Sequence, residues 1–463
     1  MRKADSSLFF LILIMMSVFF IGYFQPENTQ FIKEYIFLGI NMIAFIFVNI
    51  VAFMKFSIYL FEPVFLVFIV YLFVFFIDPM VNIISGTTEC MGYYVMDGCI
   101  RATVIFMLSY VMFLLGYYGV WRRKDHILSE EAYVYKIREW KNTNIENIAL
   151  FLWMGSFAFG CIELISKGMS IGYFLTLGLS GEMDNLYADS AFGFFGNFRY
   201  SMISSWVYLF VCDSKSFKTK ICGVLTLEYF VLRGFRHSLF VLIFSPIVYY
   251  FVKDKKKPKL KSILVISMLA VLVMGIMQFI RGALREGTSV DWSAFDTSIF
   301  IDSIKGNCDI YKTFYGMAVT VPNELEYQYG MASIVSVITM IIPRKIWPGK
   351  PISPIITNLH MFCGELAAKS GYAMPNISEY YLDFGVIGCI VMLFIFGQVL
   401  QKLKDLYRYK SYDRHGLILY SVMFPALLQV MLRGYSPSYM YLLFFYSFPV
   451  IIMKYFVDNK SLK

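Results

Sequence analysis

The sequence predicts an all-α, polytopic membrane protein, and three observations support this fold class. Of its 463 residues, 58% are hydrophobic and only 16% are charged, whereas a soluble domain averages about 45–50% apolar and about 25% charged residues. Apolar runs long enough to cross a bilayer recur along the chain. Lysine and arginine collect in alternate connecting segments, as the positive-inside rule expects. The net charge of +9 therefore follows from topology and predicts no nucleic-acid partner.

Apolar runs of about 17–22 residues predict about twelve membrane-spanning helices within one transmembrane domain, residues 1–463. The first run follows Met1-Arg2-Lys3. Because no small-x-small cleavage site follows it, we expect it to be retained as a membrane helix. The predicted spans lie near residues 8–24, 35–53, 58–77, 103–121, 147–165, 200–212, 219–232, 237–252, 262–280, 379–400, 416–432 and 437–453.

The placement of basic residues predicts that both termini are cytoplasmic. With that orientation, the inner segments hold 26 of the 41 lysines and arginines. The largest outer segment is a loop of residues 281–378. Within it, the apolar run Ile334 to Ile342 is too short to cross a bilayer and predicts a short interfacial or re-entrant helix. Four prolines and a glycine between 343 and 354 exclude helix there and predict a rigid, turn-rich connector.

Several basic residues lie on the outer side, where the positive-inside rule does not explain them. They are Arg233, Arg236 and His237 at a tight turn, Arg281 and Arg285 four residues apart, Arg344 and Lys350 in the large loop, and Arg433 in the last outer turn. Arginine binds phosphate oxygens through a planar fork that stays charged. The set therefore predicts a diphosphate site at the membrane surface. The alternative is that each arginine reaches for lipid head groups or helix C-termini.

Two carboxylates and a tyrosine lie where the large loop enters the tenth predicted span. Glu379 and Asp383 are four residues apart, with Tyr381 between them. A carboxylate at this level can orient or deprotonate a sugar hydroxyl. Acidic residues also suit the first turn of a helix, where Asn376 or Ser378 is a plausible N-cap. Both interpretations of Glu379 remain open at the sequence level.

Metal and cofactor sites are not predicted. The eight cysteines form no Cys-x-x-Cys pair, and the four histidines are far apart in sequence, so no local metal motif is present. Cys90 with Cys99, and Cys308 with Cys363, lie in segments predicted to be outside. They form disulfides if that compartment is oxidising, or they remain free thiols.

Four motifs are shared with a known family. They are Arg-Gly-x-Arg-His at 233–237, Arg-Gly-x-x-Arg at 281–285, Ile-Pro-Arg-x-x-Trp-Pro-x-Lys-Pro at 342–351 and Ser-Glu-Tyr-Tyr-Leu-Asp-Phe-Gly at 378–385. In these motifs and in its topology the chain resembles the Wzy-type O-antigen polymerases, the oligosaccharide repeat-unit polymerases of bacterial surface polysaccharides. That family usually shows Gly-Glu-x-Tyr-x-x-Phe-Gly in the last motif, and Ser378 stands in place of its first glycine.

The resemblance implies a GT-C-like membrane fold in the bacterial inner membrane, with short helices in its large periplasmic loop and an active site facing the periplasm. It implies an inverting, metal-independent glycosyltransferase that needs no cofactor. The enzyme would transfer the growing glycan from undecaprenyl diphosphate to the terminal sugar of a new lipid-linked repeat unit. Its partners would be undecaprenyl-diphosphate-linked oligosaccharides, membrane lipids and a chain-length regulator protein.

The resemblance also implies roles for individual residues. Glu379, Arg281 and Arg285 are the predicted catalytic residues. The predicted substrate-binding residues are Arg233, Arg236, His237, Arg344, Lys350, Tyr381, Asp383 and Arg433.

Two other functions remain open. An O-antigen ligase performs the same chemistry with a lipid A core acceptor. A polysaccharide flippase or other transporter would carry charged residues deep within its spans and often has repeated halves. Glu62, Glu163 and Glu228 lie within predicted spans and keep transport open, but most charges lie at helix ends and no internal repeat is visible.

Overall fold

A computed structural model describes residues 29–56, 59–119, 143–166, 193–233, 235–253, scattered positions between 258 and 279, 309–342, 346–369, 371–408 and 414–458. In these ranges the secondary structure is helical, and the only strand-like pairing is a single bridge between Cys90 and Tyr93. The all-α prediction is confirmed.

Thirteen helices are labelled in chain order. They are α1 (Ile32–Lys55), α2 (Pro63–Ile84), α3 (Cys99–Tyr118), α4 (Thr143–Ser166), α5 (Ser201–Cys212), α6 (Phe217–Leu232), α7 (Arg236–Lys253), α8 (Tyr311–Thr320), α9 (Ser336–Met340), α10 (Pro354–Lys369), α11 (Asn376–Arg408), α12 (Arg414–Leu432) and α13 (Ser436–Asp458).

Seven of the described helices are long and apolar enough to cross a membrane: α1 to α4 and α11 to α13. The predicted span at 8–24 and most of that at 262–280 lie outside the described residues. The runs at 200–212 and 219–232 form the shorter helices α5 and α6. The count of twelve spans therefore stays a prediction.

Two predicted boundaries move for local reasons. α2 begins at Pro63 rather than near 58, because proline is tolerated in the first turn of a helix and not in its interior. α2 then continues past its predicted end to Ile84, although it contains a second proline, Pro79. A π-turn at Phe73–Ile77 precedes that proline, and such a turn accommodates the missing backbone donor.

Two hydrophobic clusters form the interior. The first joins α1, α2 and α3 to α8, α10 and α11, and it contains closely stacked rings such as Phe75 and Phe106, whose centroids are 3.9 Å apart. The second joins α4 to α7 with α12 and α13. Tyr311 and Phe314 of α8 are fully buried in the first cluster. The described part of the large loop therefore packs into the helical core.

The connecting segments gather at two opposite ends. At one end, called the inner end, Tyr59 donates a hydrogen bond to the carbonyl of Phe251 at 2.9 Å, and Lys404 pairs with Glu62 at 2.7 Å. At the other, called the outer end, Lys312 of α8 donates to the carbonyl of Thr87 at 2.8 Å. Segments that the sequence predicts to share a side of the membrane therefore share an end of the molecule.

The described parts of the large loop follow the sequence prediction. The apolar run forms a ten-residue apolar helix, Met331–Met340, that opens with a π-turn at Met331–Val335 and continues as α9. Residues 346–353 contain no helix, and α10 begins at Pro354. The predictions of a short helix and a turn-rich connector are confirmed for these residues, while 343–345 lie outside the described ranges.

Candidate functional site

The site forms where the turn between α12 and α13 meets the start of α11. The N–H of Gly434 in that turn donates to the carbonyl of Met374 at 2.8 Å, just before α11 begins at Asn376. Tyr71 of α2 donates to the side-chain oxygen of Asn376 at 2.8 Å. These contacts bring three membrane helices together at the outer end.

Glu379 is fully buried at this junction. Its two oxygens accept the backbone N–H of Ser436 at 3.1 and 3.2 Å, and one also accepts the hydroxyl of Ser436. Ser436 is the first residue of α13, so the carboxylate lies at the positive end of that helix. The capping role considered for Glu379 is therefore present, but the capped helix is α13 and not its own.

Asp383 caps a different helix. Its carboxylate accepts the backbone N–H groups of Ala332 at 3.0 Å and Ser333 at 2.9 Å, as well as the hydroxyl of Ser333. These donors belong to the π-turn that opens the short apolar helix. The two carboxylates of α11 thus fix two neighbouring elements, one the last membrane helix and one the loop helix. The substrate-binding role of Asp383 stays a prediction.

The Phe-Gly pair that ends the motif breaks α11. Gly385 has φ of +63°, a conformation that only glycine adopts at little cost. The break frees the carbonyls of Leu382 and Asp383, which accept the N–H groups of Gln328 and Tyr329, each at 3.0 Å. The preceding turn ends at Gly330, with φ of +88°.

Tyr381 also makes a contact within the protein. Its hydroxyl donates to the carbonyl of Val321 at 3.0 Å, and its side chain is fully buried. The structure gives it a contact between α11 and the end of α8. Its predicted role in substrate binding is not tested by this contact.

A buried ionic cluster lies at the outer ends of α4, α5 and α6. Glu163 forms ion pairs with Arg199 and with Arg233, the latter at 3.1 Å. Tyr229 donates to the same carboxylate at 3.5 Å. The guanidinium of Arg199 lies 4.9 Å from the ring centre of Tyr200. Arg199, Arg233 and Glu163 are all more than nine-tenths buried.

Among its described residues, this cluster contains two positive charges and one negative charge. The Nη atoms of Arg199 reach Glu163, the carbonyl of Gly196 and the side chain of Asn197. Its Nε is buried and has no hydrogen-bond partner among the described residues. Buried donors are almost always satisfied, so this N–H is a donor that a ligand or a residue outside the described ranges would complete.

Further basic residues connect the cluster to the α12–α13 turn. His237 lies within electrostatic range of both Arg433 and Arg199, and its ring is 6.1 Å from that of Tyr200. Arg433 is half-buried and stands three residues before Ser436, which holds Glu379. Arg236 begins α7 beside His237. The structure therefore brings Arg233, Arg236, His237, Arg433 and Glu379 to one end of the molecule.

The structure does not test the other predicted basic residues. Arg281, Arg285 and Arg344 are outside the described residues, so their roles stay predictions. Lys350 donates from its ammonium to the carbonyl of Ile342 at 3.2 Å, within its own loop.

Sequence reasoning missed Arg199 and Ser436, and it regarded Glu163 only as a residue that kept transport open. Arg199 immediately precedes the run predicted to span from residue 200, so it satisfies the criterion that selected Arg233: an arginine at the outer end of an apolar run. Ser436 had a weaker signal, as a serine at the start of the last span. The ion pairs of Glu163 with two arginines are tertiary contacts, and the residues around Glu163 in the sequence do not indicate them.

In the part of the chain that the structure describes, no group of three or more histidine, cysteine, aspartate or glutamate residues is arranged to hold a metal ion.

Comparison with known protein families decides the assignment. The model of the O-antigen polysaccharide polymerase Wzy family matches residues 7–460, nearly the whole chain. The chain belongs to this family. Membership assigns it to the polymerisation of O-antigen repeat units, a glycosyltransferase-like reaction on lipid-linked oligosaccharides in a membrane. The search of curated proteins and the search of solved structures each gave no match.

Proposed function

We propose that the chain is an inner-membrane glycosyltransferase that transfers the growing O-antigen from undecaprenyl diphosphate to the terminal sugar of a new lipid-linked repeat unit. The observation that carries this proposal is the buried cluster of Arg199, Arg233 and Glu163, which lies at the same end of the molecule as Glu379, with His237 in electrostatic range of Arg199 and Arg433. A cation-rich cluster and a buried carboxylate lie at the same end of the molecule, which is the chemistry a polyprenyl-diphosphate donor and a sugar acceptor need together.

The arginines act on the leaving group. As the bond between the anomeric carbon and the diphosphate breaks, negative charge grows on the diphosphate oxygen. Fixed cations already aimed at that position stabilise the transition state more than the ground state. Arg199 and Arg233 are held by Glu163 and by aromatic rings, so their guanidinium groups are ordered before substrate binds. Arg236, Arg433, Arg281 and Arg285 are the further arginines proposed to surround the diphosphate.

Glu379 acts on the acceptor. The acceptor hydroxyl oxygen forms the new bond to the anomeric carbon from the face opposite the leaving diphosphate, which inverts the configuration. Its proton passes to the Glu379 carboxylate. Ser436 holds both oxygens of that carboxylate and so fixes its orientation. The charge balance of the reaction is then met by arginine and glutamate alone, which supports a metal-independent mechanism.

The proposed orientation places the outer end in the periplasm and both termini in the cytoplasm. This orientation is supported because the segments predicted to be outside lie at the same end of the molecule as the cluster of Arg199, Arg233 and Glu163. To test it, cysteine would be introduced at exposed Asn323 on the outer end, and at exposed Ser214 on the inner end as the matched control. In intact cells, a membrane-impermeant maleimide should label Asn323→Cys and not Ser214→Cys. The reverse pattern would overturn the orientation.

The transfer itself is tested by deleting the gene and separating the lipopolysaccharide on a gel. Loss of polymerase activity leaves a core capped with one repeat unit, whereas loss of a ligase leaves no repeat unit at all. We expect the one-unit band. An Arg281→Ala, Arg285→Ala double variant should give the same band while remaining in the membrane at normal level. A full ladder from that variant would remove the two arginines from the proposed diphosphate site.

Transport is less well supported. Two of the acidic residues that kept it open are paired within the protein: Glu62 with Lys404 and Glu163 with two arginines.

A further inference from the structure

The loop between α2 and α3 is docked onto α10 at the outer end. In this loop, Cys90 and Tyr93 pair through two backbone hydrogen bonds of 2.8 and 2.9 Å. The hydroxyl of Tyr93 donates to the carbonyl of Met361 at 3.1 Å. The side chain of Tyr93 also covers Gly364, where an added Cβ would lie 2.8 Å from the Cβ of Tyr93. The loop therefore reaches α10 at the position where φ of +81° at Gly364 interrupts that helix.

Two cysteines meet at this contact. Cys90 and Cys363 are fully buried and lie beside each other as free thiols, and the thiol of Cys363 donates to the carbonyl of Leu359 at 3.2 Å. The sequence-level pairings were different. Cys99 is buried beside Tyr315 of α8, and Cys308 lies outside the described residues. Cys90 and Cys99 are both free thiols in the structure, so of the two alternatives for this pair the structure has the free thiols.

We propose that Cys90 and Cys363 form a disulfide that fixes the α2–α3 loop to α10 across the outer end of the protein. The inference rests on the orientation given under Proposed function, because disulfides persist in the periplasm and are reduced in the cytoplasm. The contact itself does not depend on that orientation, since it is made within the described residues.

The Cys90–Cys363 bond forms by thiol–disulfide exchange with an oxidant that carries a disulfide. The neighbouring Cys363 thiol, more than the nearby hydroxyl of Tyr372, lowers the pKa of the Cys90 thiol. Cys90 is therefore the sulfur that attacks, because the thiolate is the nucleophile. The oxidant's S–S bond breaks as a mixed disulfide with Cys90 forms, and the Cys363 thiolate then displaces the oxidant. Two electrons and two protons pass to the oxidant, which leaves as a dithiol. Because both cysteines are covered in the folded protein, we expect the bond to form as the loop packs.

The disulfide would fix a loop that also contacts α8, which packs against α11. Lys312 of α8 donates to the carbonyls of Thr87 and Glu89 at 2.8 and 2.9 Å, so the same loop also holds α8. Phe314 of α8 in turn lies against Tyr381, with ring centroids 6.0 Å apart. The loop, α8 and α10 thus form one packed layer above α11. A covalent bond within that layer would hold the α2–α3 loop on α10.

The chain offers a direct test because only two cysteines, Cys90 and Cys99, precede the predicted inner segment 122–146. A protease recognition site would be inserted into this segment of the full-length protein. Cells would be treated with N-ethylmaleimide to block free thiols, and the purified protein would be cleaved and denatured without reductant. We expect the two fragments to remain joined and to separate on addition of dithiothreitol.

Matched variants identify the cysteines. Cys90→Ser and Cys363→Ser should each give separate fragments without reductant, whereas Cys99→Ser and Cys389→Ser should remain joined. Separate fragments from the unsubstituted protein would overturn the proposal, as would joined fragments from Cys363→Ser. The labelling of Asn323→Cys is measured independently. If Asn323→Cys is labelled from outside but the fragments separate without reductant, the disulfide is rejected and the orientation stands. If Asn323→Cys is labelled only from inside, the orientation given under Proposed function is rejected.

Discussion

The protein buries ionic clusters at both ends, and the two clusters are built differently. At the inner end, Lys404 and Glu62 form a one-to-one pair with the ammonium 2.7 Å from the carboxylate. The lysine also lies 5.5 Å from the ring centre of Tyr117. At the outer end, Glu163 is shared by Arg199 and Arg233. The inner cluster is neutral, whereas the described residues of the outer cluster carry one extra positive charge.

This difference indicates which of the two ionic clusters stabilises the fold and which one serves the reaction. Burying a charge is costly unless a partner compensates it, and the inner pair satisfies that condition by itself. The outer cluster leaves a buried guanidinium Nε without a partner among the described residues, and it has Arg433 and His237 beside it. The residue types support this assignment, because lysine is a single point charge, whereas arginine presents a fork of N–H donors that matches phosphate. We therefore expect substitutions at the inner end to affect folding and those at the outer end to affect polymerisation.

The largest effect is expected for Glu379→Gln. The glutamine keeps an oxygen that can accept from Ser436, so the cap on α13 is retained, but it cannot take the acceptor's proton. Loss of a general base typically reduces the rate by about 10²–10⁴-fold. The measurement is the lipopolysaccharide ladder from a deletion strain that carries the variant, with membrane level determined by immunoblot. Ser436→Ala is the control, and we expect it to retain polymer because the backbone N–H still orients Glu379. A complete ladder from Glu379→Gln would limit Glu379 to capping.

Arg199→Ala should give the second-largest effect. A hydrogen bond to a charged group contributes about 1.5–3 kcal/mol, which corresponds to a rate loss of roughly tenfold to a hundredfold. Glu163 retains its pair with Arg233, so the change does not leave a carboxylate unpaired. Polymerisation would be measured with purified protein and lipid-linked repeat units. Arg199→Lys keeps the charge and should recover part of the activity. Unchanged rates for both variants would show that the outer cluster is as structural as the inner one.

The inner pair should behave as a folding element. Glu62→Ala leaves the ammonium of Lys404 without this carboxylate, and breaking a buried pair costs about 3–5 kcal/mol. We expect several-fold less protein in the membrane but an unchanged rate per folded molecule. The double variant Glu62→Leu, Lys404→Met removes both charges together and should recover the protein level. If the double variant folds normally but makes no polymer, the inner pair has a functional role and the contrast between the two ends fails.

The elements that the sequence predicted well depend on local pattern. Long apolar runs, the prolines near 351 and the short run after Gly330 each specify their structure from within a few residues. The outer arginines were found because they violate a compositional rule that also operates locally. Arg199 met the same rule, and it could have been found by applying that rule to every outer helix end.

The partners of these residues could not be predicted, because they come from distant positions. Glu163 meets Arg199 and Arg233 only when α4, α5 and α6 pack together. Glu379 meets Ser436 across the α12–α13 turn, and the motif alone could not say which helix its carboxylate would cap. The same holds for Cys90, whose neighbour Cys363 depends on how the loop docks on α10.

The smallest effect is expected for Tyr381→Phe, which separates packing from substrate contact at the outer end. The phenol donates to the carbonyl of Val321, and losing one such bond costs about 1 kcal/mol. Because the ring remains in place, α11 should keep its contact with α8. We expect a slightly lower unfolding temperature in detergent and a nearly normal ladder, whereas a substrate-binding hydroxyl would shorten the ladder without changing that temperature. Tyr439→Phe is a suitable control, because its hydroxyl contacts Ser436 and lies closer to Glu379. A ladder shortened by Tyr381→Phe alone would place the acceptor site beside Tyr381 and α8.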